Sequence, residues 1–158
     1  MNFEVKLNKG EWEQYSEDMN VYVINLPERY KVIKTEYRNV FSKDVWNVVR
    51  LKIYKDHKLF ATVNRNFPSE AESVYVKQGK NEYLVTSGDY MCITVVNLTT
   101  GEVKSYTDEE KYKVGTAFCP YAFDYDDGTL FVTGCVWGGD EETYCFPNVD
   151  FSKPIFDF

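Results

Sequence analysis

Hydrophobic and polar residues alternate with a period of two along most of this chain, the pattern of half-buried β-strands. Asn2–Leu7 sets Phe3, Val5 and Leu7 on one face. Lys9-Gly10 breaks the run, and Glu11–Met19 then places Trp12, Tyr15 and Met19 at a spacing that suits one or two helical turns. Val21–Leu26 reads as a strand closed by Pro27, and Tyr30–Tyr37 as another. Val45–Tyr54 and Leu59–Val63 flank Lys55-Asp56-His57-Lys58, which has the length and polarity of a hairpin loop. Ser73–Lys77, Tyr83–Ser87, Cys92–Leu98 and Val103–Tyr106 follow, separated by turns at Gln78-Gly79-Lys80-Asn81, Ser87-Gly88-Asp89 and Thr99-Thr100-Gly101-Glu102. Gly supplies the positive φ that tight turns require. Ala122–Tyr125, Leu130–Cys135, Thr143–Phe146 and Ile155–Phe158 make a last set, with Asp126-Asp127-Gly128-Thr129 as the clearest hairpin turn. No long stretch keeps a helical period and no linker interrupts the pattern. The expectation is one all-β domain over residues 1–158, mainly an antiparallel meander, with at most a short helix near the N-terminus.

One internal echo refines this. Leu84-Val85-Thr86-Ser87-Gly88 and Phe131-Val132-Thr133-Gly134-Cys135 lie 47 residues apart, each after a polar turn, and Phe60-Ala61-Thr62-Val63 is a fainter version. A period of 40–50 residues with four strands per unit is the mark of propeller-type blades. Two or three such units are too few to close a ring, so they either stack as an open sandwich or need further chains to complete it.

Segment 83–158 resembles a group of small prokaryotic and phage proteins with propeller-like repeats. The likeness rests on the turn and strand from Gly88-Asp89-Tyr90 through Thr100-Gly101-Glu102, on Phe118-Cys119-Pro120, on Gly134-Cys135-Val136-Trp137, and on Asp150-Phe151-Ser152-Lys153-Pro154. Gly138-Gly139-Asp140-Glu141-Glu142 departs from the group's pattern. The resemblance implies a fold type and no activity.

Charge and composition narrow the function. The chain is 17% aromatic and has a net charge of −7. Residues 1–67 hold 12 Lys and Arg against 9 Asp and Glu, a balance of +3, whereas residues 68–158 hold 6 against 16, a balance of −10. Such an acidic half repels a phosphate backbone and an anionic membrane surface, so neither nucleic acid nor membrane is an expected partner. It favours a protein with a basic surface. The N-terminus has no pattern of a signal peptide, and no apolar run approaches the ~20 residues of a membrane helix, so a cytoplasmic location is expected. Cys92, Cys119, Cys135 and Cys145 form no C-x-x-C pair and read as reduced thiols, Cys135 and Cys145 being the pair a hairpin could bring together.

Catalytic chemistry finds little support. The lone histidine, His57, sits at a loop tip between lysines, which argues against a Ser–His or Cys–His site and against tetrahedral zinc. Asp124, Asp126 and Asp127 lack the spacing and closing Glu of a calcium loop. No phosphate-binding glycine motif occurs. No enzyme activity, metal or cofactor is therefore expected. The dense acidic runs are Asp108-Glu109-Glu110 and Asp140-Glu141-Glu142, with aromatic residues close to the second in sequence. Aromatic anchors ringed by charge are what protein-binding surfaces use. The expected site is Tyr121, Tyr125, Asp126, Asp127, Trp137, Asp140, Glu141 and Glu142. The expected function is a non-catalytic protein-binding module, an inhibitor of phage or mobile-element origin that occludes its partner. Three alternatives are a small-molecule or carbohydrate-binding domain, a hydrolase built on paired acids, and a subunit of a homo-oligomer.

Overall fold

The computed structural model describes residues 10–18, 23–42, 47–65, 72–88, 92–106, 118–136 and 139–153. The strands expected at Asn2–Leu7 and Ile155–Phe158, the acidic run Asp108-Glu109-Glu110, and Trp137 lie outside these residues. The fold is all-β and its strands form three sheets. The first has the order β1-β3-β4-β5, from β1 (Trp12–Asp18), β3 (Tyr30–Asn39), β4 (Val48–Lys55) and β5 (Lys58–Arg65). The second has the order β2-β6-β7-β8-β9, from β2 (Val23–Ile24), β6 (Ser73–Gln78), β7 (Asn81–Ser87), β8 (Ile93–Asn97) and β9 (Val103–Tyr106). The third is β10 (Phe118–Asp126), β11 (Thr129–Val136) and β12 (Glu141–Phe146). Neighbouring strands are antiparallel except β2, which lies parallel to β6.

Over Trp12–Asp18 the structure has a strand in place of the helical turns expected over Glu11–Met19, of which Met19 lies outside the described residues. That stretch is β1, paired antiparallel with β3, and its register slips between Gln14 and Ser16, which leaves Tyr15 as an extra residue in a bulge. The bulge explains the misleading spacing. One inserted residue turns the strand's period of two into a gap of three between Trp12 and Tyr15, which imitates a helix.

The sheets stack as layers with the second in the middle. Alternation along β7 sends Tyr83 and Val85 to one side and Leu84 to the other. The first side packs with Val74, Val76, Ile93 and Val95 against Phe118, Phe123, Leu130 and Val132 of the third sheet. The second side, through Leu84, Val96 and Leu98, packs against Val32, Val49, Leu51, Ile53 and Val63 of the first sheet. Burial on both faces explains why Ile93-Thr94-Val95-Val96 is buried at every position, whereas β12 is largely exposed. Each fully buried Val, Leu or Ile contributes about 1.5–3 kcal/mol.

Of the echoed segments, Leu84–Ser87 lies on β7 and Phe131–Cys135 on β11, each following a tight turn, and Phe60–Val63 lies on β5, the last strand of its sheet. At the β10–β11 turn Asp127 and Gly128 have φ of 46° and 80°, and at the β4–β5 turn Asp56 and His57 have 49° and 67°. Two left-handed residues in succession are the type I′ geometry that matches strand twist.

Polar side chains join the layers. Between the first and second sheets, Glu82 accepts hydrogen bonds from Tyr30 at 2.7 Å and Tyr75 at 2.6 Å. Toward the other end of the same interface, fully buried Arg65 donates from Nη1 to Thr86 Oγ1 at 2.6 Å and Ser87 Oγ at 3.1 Å. Between the second and third sheets, Gln78 Nε2 donates to Tyr125 Oη at 3.1 Å and to the Val149 carbonyl at 2.7 Å, while its Oε1 accepts from Phe151 N at 3.1 Å.

Candidate binding face

The third sheet has one packed face and one open face, and alternation assigns each residue to one of them. Phe123 and Tyr125 on β10, Leu130 and Val132 on β11, and Tyr144 and Phe146 on β12 point inward. The opposite face carries Ala122, Asp124 and Asp126 on β10, Phe131, Thr133 and Cys135 on β11, and Glu141, Thr143 and Cys145 on β12. Ala122, Phe131, Thr133 and Cys135 are half-buried there, and Asp124, Asp126, Glu141, Thr143 and Cys145 are exposed. Cys119, on the same face, is buried. Thr133 and Thr143 hydroxyls share a hydrogen bond of 2.8 Å. Among the described residues this face holds three carboxylates and no Lys or Arg.

Tyr121 reaches this face through a bulge. The register of β10 on β11 slips between Pro120 and Ala122, so Tyr121 is the unpaired residue, and its phenol donates to Glu141 on β12. That hydrogen bond, followed by desolvation, pushes the Tyr121 phenol up to about 12. Tyr144 donates to Glu142 Oε2 at 2.7 Å, and burial followed by this bond pushes its phenol up to about 12 as well. The Tyr144 ring stands edge-on to Phe118 with centroids 4.8 Å apart, which fixes the base of the rim.

The structure divides the residues expected to act together. Tyr121, Asp140, Glu141 and Glu142 gather where β12 begins. Asp126 and Asp127 sit at the β10–β11 turn, at the opposite end of β11 and roughly 20 Å away along the strand. Tyr125 faces inward, half-buried, with its phenol on Gln78 and its ring 5.9 Å from Phe151. Asp124 was not among the expected residues, yet it lies on the open face between the two acidic ends. Its signal is the alternation Phe123-Asp124-Tyr125-Asp126, which puts Tyr125 with buried Phe123 and Asp124 with Asp126. Cys135 pairs with Glu141 and Cys145 with Phe131, so the β11–β12 hairpin does not align these two cysteines; the residue opposite Cys135 on the other side is Cys119. Cys135 and Cys145 are not joined to each other by a disulfide.

Other chemistry is sparsely served. A shallow hollow of about 110 Å³ is bordered by Asn81, Tyr83, Asn97, Lys104, Tyr106 and Phe151, and the one acid on its wall, Glu102, pairs with Lys104 at 3.3 Å. That is well below the volume that encloses a typical small-molecule ligand. Among the described residues no group of His, Cys, Asp and Glu side chains is placed to hold a metal ion, and no helix is long and apolar enough to cross a membrane. The chain matches no protein-family model, no curated protein and no solved structure.

Proposed function

We propose that this protein is a non-catalytic protein-binding module whose contact surface is the open face of the third sheet and the rim where β12 begins. The observation that carries this reading is the shared placement of Asp124, Asp126 and Glu141 on one sheet face around half-buried Ala122, Phe131 and Cys135. An apolar centre with a charged surround is the anatomy of a protein interface. Three carboxylates without a base select a partner with a basic patch and speed the encounter. Binding by such a face covers the partner's surface, which is the action of an inhibitor. Its phage or mobile-element origin rests on the resemblance of segment 83–158. A cytoplasmic location rests on the spacing of Cys92, Cys119, Cys135 and Cys145, which form no C-x-x-C pair.

The test replaces Asp140, Glu141 and Glu142 together by Ala and uses the wild type and variant, each immobilised, to capture protein from source-cell extract. A partner held by the acidic rim is retained by the wild type, released by added salt, and lost with the variant. Tyr121→Phe serves as the control for the loss of the Glu141 hydrogen bond alone. Identical retention by the wild type and the triple variant rejects the acidic contact.

A further inference from the structure

The stack has a second open face, and it is the electrostatic complement of the first. On the first sheet, Val32 and Tyr30 of β3, Val49, Leu51 and Ile53 of β4, and Ala61 and Val63 of β5 point into the molecule. Their neighbours point out: Lys31 and Ile33 on β3, Arg50, Lys52 and Tyr54 on β4, and Leu59 on β5. Ile33, Arg50, Lys52 and Tyr54 are half-buried, Lys31 is exposed, and Leu59 is 56% exposed; Thr35 and Val48, at the other end of the same face, are buried, so the open part is the end that carries Lys31, Lys52, Tyr54 and Leu59. Among the described residues the one acid on the neighbouring part of this face is Glu17 of β1, opposite Thr35. Arg50 is held in place, its Nε donating to Asn64 Oδ1 at 3.0 Å and its guanidinium lying 5.5 Å from the centre of the Tyr37 ring. A cation fixed in this way loses little freedom when it meets a carboxylate.

The basic face and the acidic face lie on opposite sides of the middle sheet, so they cannot meet within one chain. We propose that they meet between chains: the open face of the third sheet in one copy docks on the open face of the first sheet in a second copy. This rests on the protein-binding reading and names the partner as the protein itself. Lys31, Arg50 and Lys52 supply the basic patch that Asp124, Asp126 and Glu141 require. Ile33, Tyr54 and Leu59 meet Phe131, Ala122 and Cys135 as the apolar centre. The docking repeats between copies the face-to-face sheet packing that already buries both sides of the second sheet. Two different patches make the contact head-to-tail. Because the two faces point in opposite directions, a pair of copies leaves one face of each kind unfilled, so the association extends by adding copies, as a filament or, where the rotation between copies closes, as a larger ring.

Solution mass, measured from about 1 to about 100 μM protein at about 0.05 M and about 0.5 M salt, tests the proposal. The wild type is expected to gain mass with concentration at low salt and to lose it at high salt. Two charge reversals, Arg50→Glu with Lys52→Glu and Asp124→Lys with Glu141→Lys, are each expected to weaken self-association roughly tenfold or more. Mixed in equal amounts, the two reversed chains are expected to associate again, because each then offers the sign that the other's altered face needs. The neutral forms, Arg50→Gln with Lys52→Gln and Asp124→Asn with Glu141→Gln, guard against loss of folding and should fall between wild type and the reversals. A wild type that stays at the mass of one chain throughout overturns the proposal, as does a mixture of folded reversed chains that stays apart. If the wild type is monomeric while Asp124→Lys with Glu141→Lys loses a protein that the wild type captures from extract, the self-partner is rejected and the protein-binding reading stands. If neither mass nor capture responds to that variant, both fall.

Discussion

The Tyr30 hydroxyl donates to Glu82 Oε2 at 2.7 Å across the boundary between the first and second sheets. The other carboxylate oxygen of Glu82 accepts from Tyr75 at 2.6 Å, and Arg29 Nη1 stands 3.9 Å away. Lys55 lies 5.8 Å from the centre of the Tyr30 ring and donates to the Leu98 carbonyl at 2.8 Å. One carboxylate therefore ties strands β3, β6 and β7 together. Burial pushes the Glu82 carboxyl up, but the two phenols and the cations Arg29 and Lys55 outweigh it and hold the group below its ordinary value. Burial and the shared carboxylate push the phenols up, Tyr75 to about 12.

Removing this acceptor strands two donors. Glu82→Ala is expected to cost about 2–3 kcal/mol, and Glu82→Gln, which keeps one good acceptor, about 1–2 kcal/mol. The sign of the pH effect follows from linkage. The folded state holds Glu82 below its unfolded value of 4.5, so its contribution is present above that value and lost as pH falls through the folded value. Glu82→Gln should therefore cost less at low pH than at neutral pH. Urea unfolding at both pH values measures this, and an equal cost at each would refute the linkage.

Arg65 is joined on one side only. Its Nη1 serves Thr86 and Ser87, yet Nε and Nη2 have no hydrogen-bond partner among the described residues. Burial lowers its pKa to about 10, and the field of Glu36, which lies on the same face two strands away beyond Val49, opposes that shift. A buried charge with incomplete pairing adds little net stability, and an apolar side chain of similar length can match it. Arg65→Met is expected to change stability by less than about 1 kcal/mol in either direction, because Thr86 still accepts from Ser73 at 2.8 Å. Arg65→Ala leaves a cavity and is expected to cost about 2–5 kcal/mol. Thermal and urea unfolding of the two variants separate packing from charge. A loss with Met as large as that with Ala would show that the guanidinium itself holds the interface.

Much of this architecture is written in the period of the sequence. The alternation in Tyr30–Tyr37, Leu59–Val63 and Tyr83–Ser87 and the turn residues Asp127-Gly128 place strands and hairpins, because the pleat and the φ demands of a tight turn act locally. The stacking order is not local, since it depends on which sheet covers which face, and the parallel pairing of Val23-Ile24 with Ser73-Val74 leaves no mark in either segment. Bulges hide in the same way. Tyr15 and Tyr121 each add one residue to a strand, and at Tyr15 that addition imitates a helix. The acidic run Asp140-Glu141-Glu142 is visible as composition. The pairing of Glu141 with Tyr121 is not, because it follows from the register of three strands. Tyr125 shows the reverse case: its spacing from Phe123 already marks it as inward, and the richness in aromatic residues nearby obscured that.

The bulge at Tyr121 depends on the missing side chain of Gly134. Gly134 faces Pro120 across β10 and β11, and a Cβ placed on it would overlap the Cys119 carbonyl oxygen and lie 2.8 Å from both the Cys119 carbonyl carbon and Phe118 Cζ. The obstructing atoms are mostly backbone, held by the strand ladder, so they cannot step aside. At Gly88 a Cβ would meet the Thr94 hydroxyl, a side-chain group, and the Cβ of Cys92 at 3.0 Å. Gly134→Ala is expected to cost about 1–3 kcal/mol or more and Gly88→Ala less, since rotation of Thr94 relieves part of that overlap. The Gly134 change also has a reporter at the proposed binding rim. If it forces β10 away from β11, the hydrogen bond from Tyr121 to Glu141 loosens and the phenol, now pushed up to about 12, titrates closer to its ordinary value of 10.0. Phenolate absorbance of Gly134→Ala, compared with that of Gly134→Ala carrying Tyr121→Phe, isolates that one group. An unchanged titration together with unchanged stability would show that the close approach at Gly134 does not set the bulge.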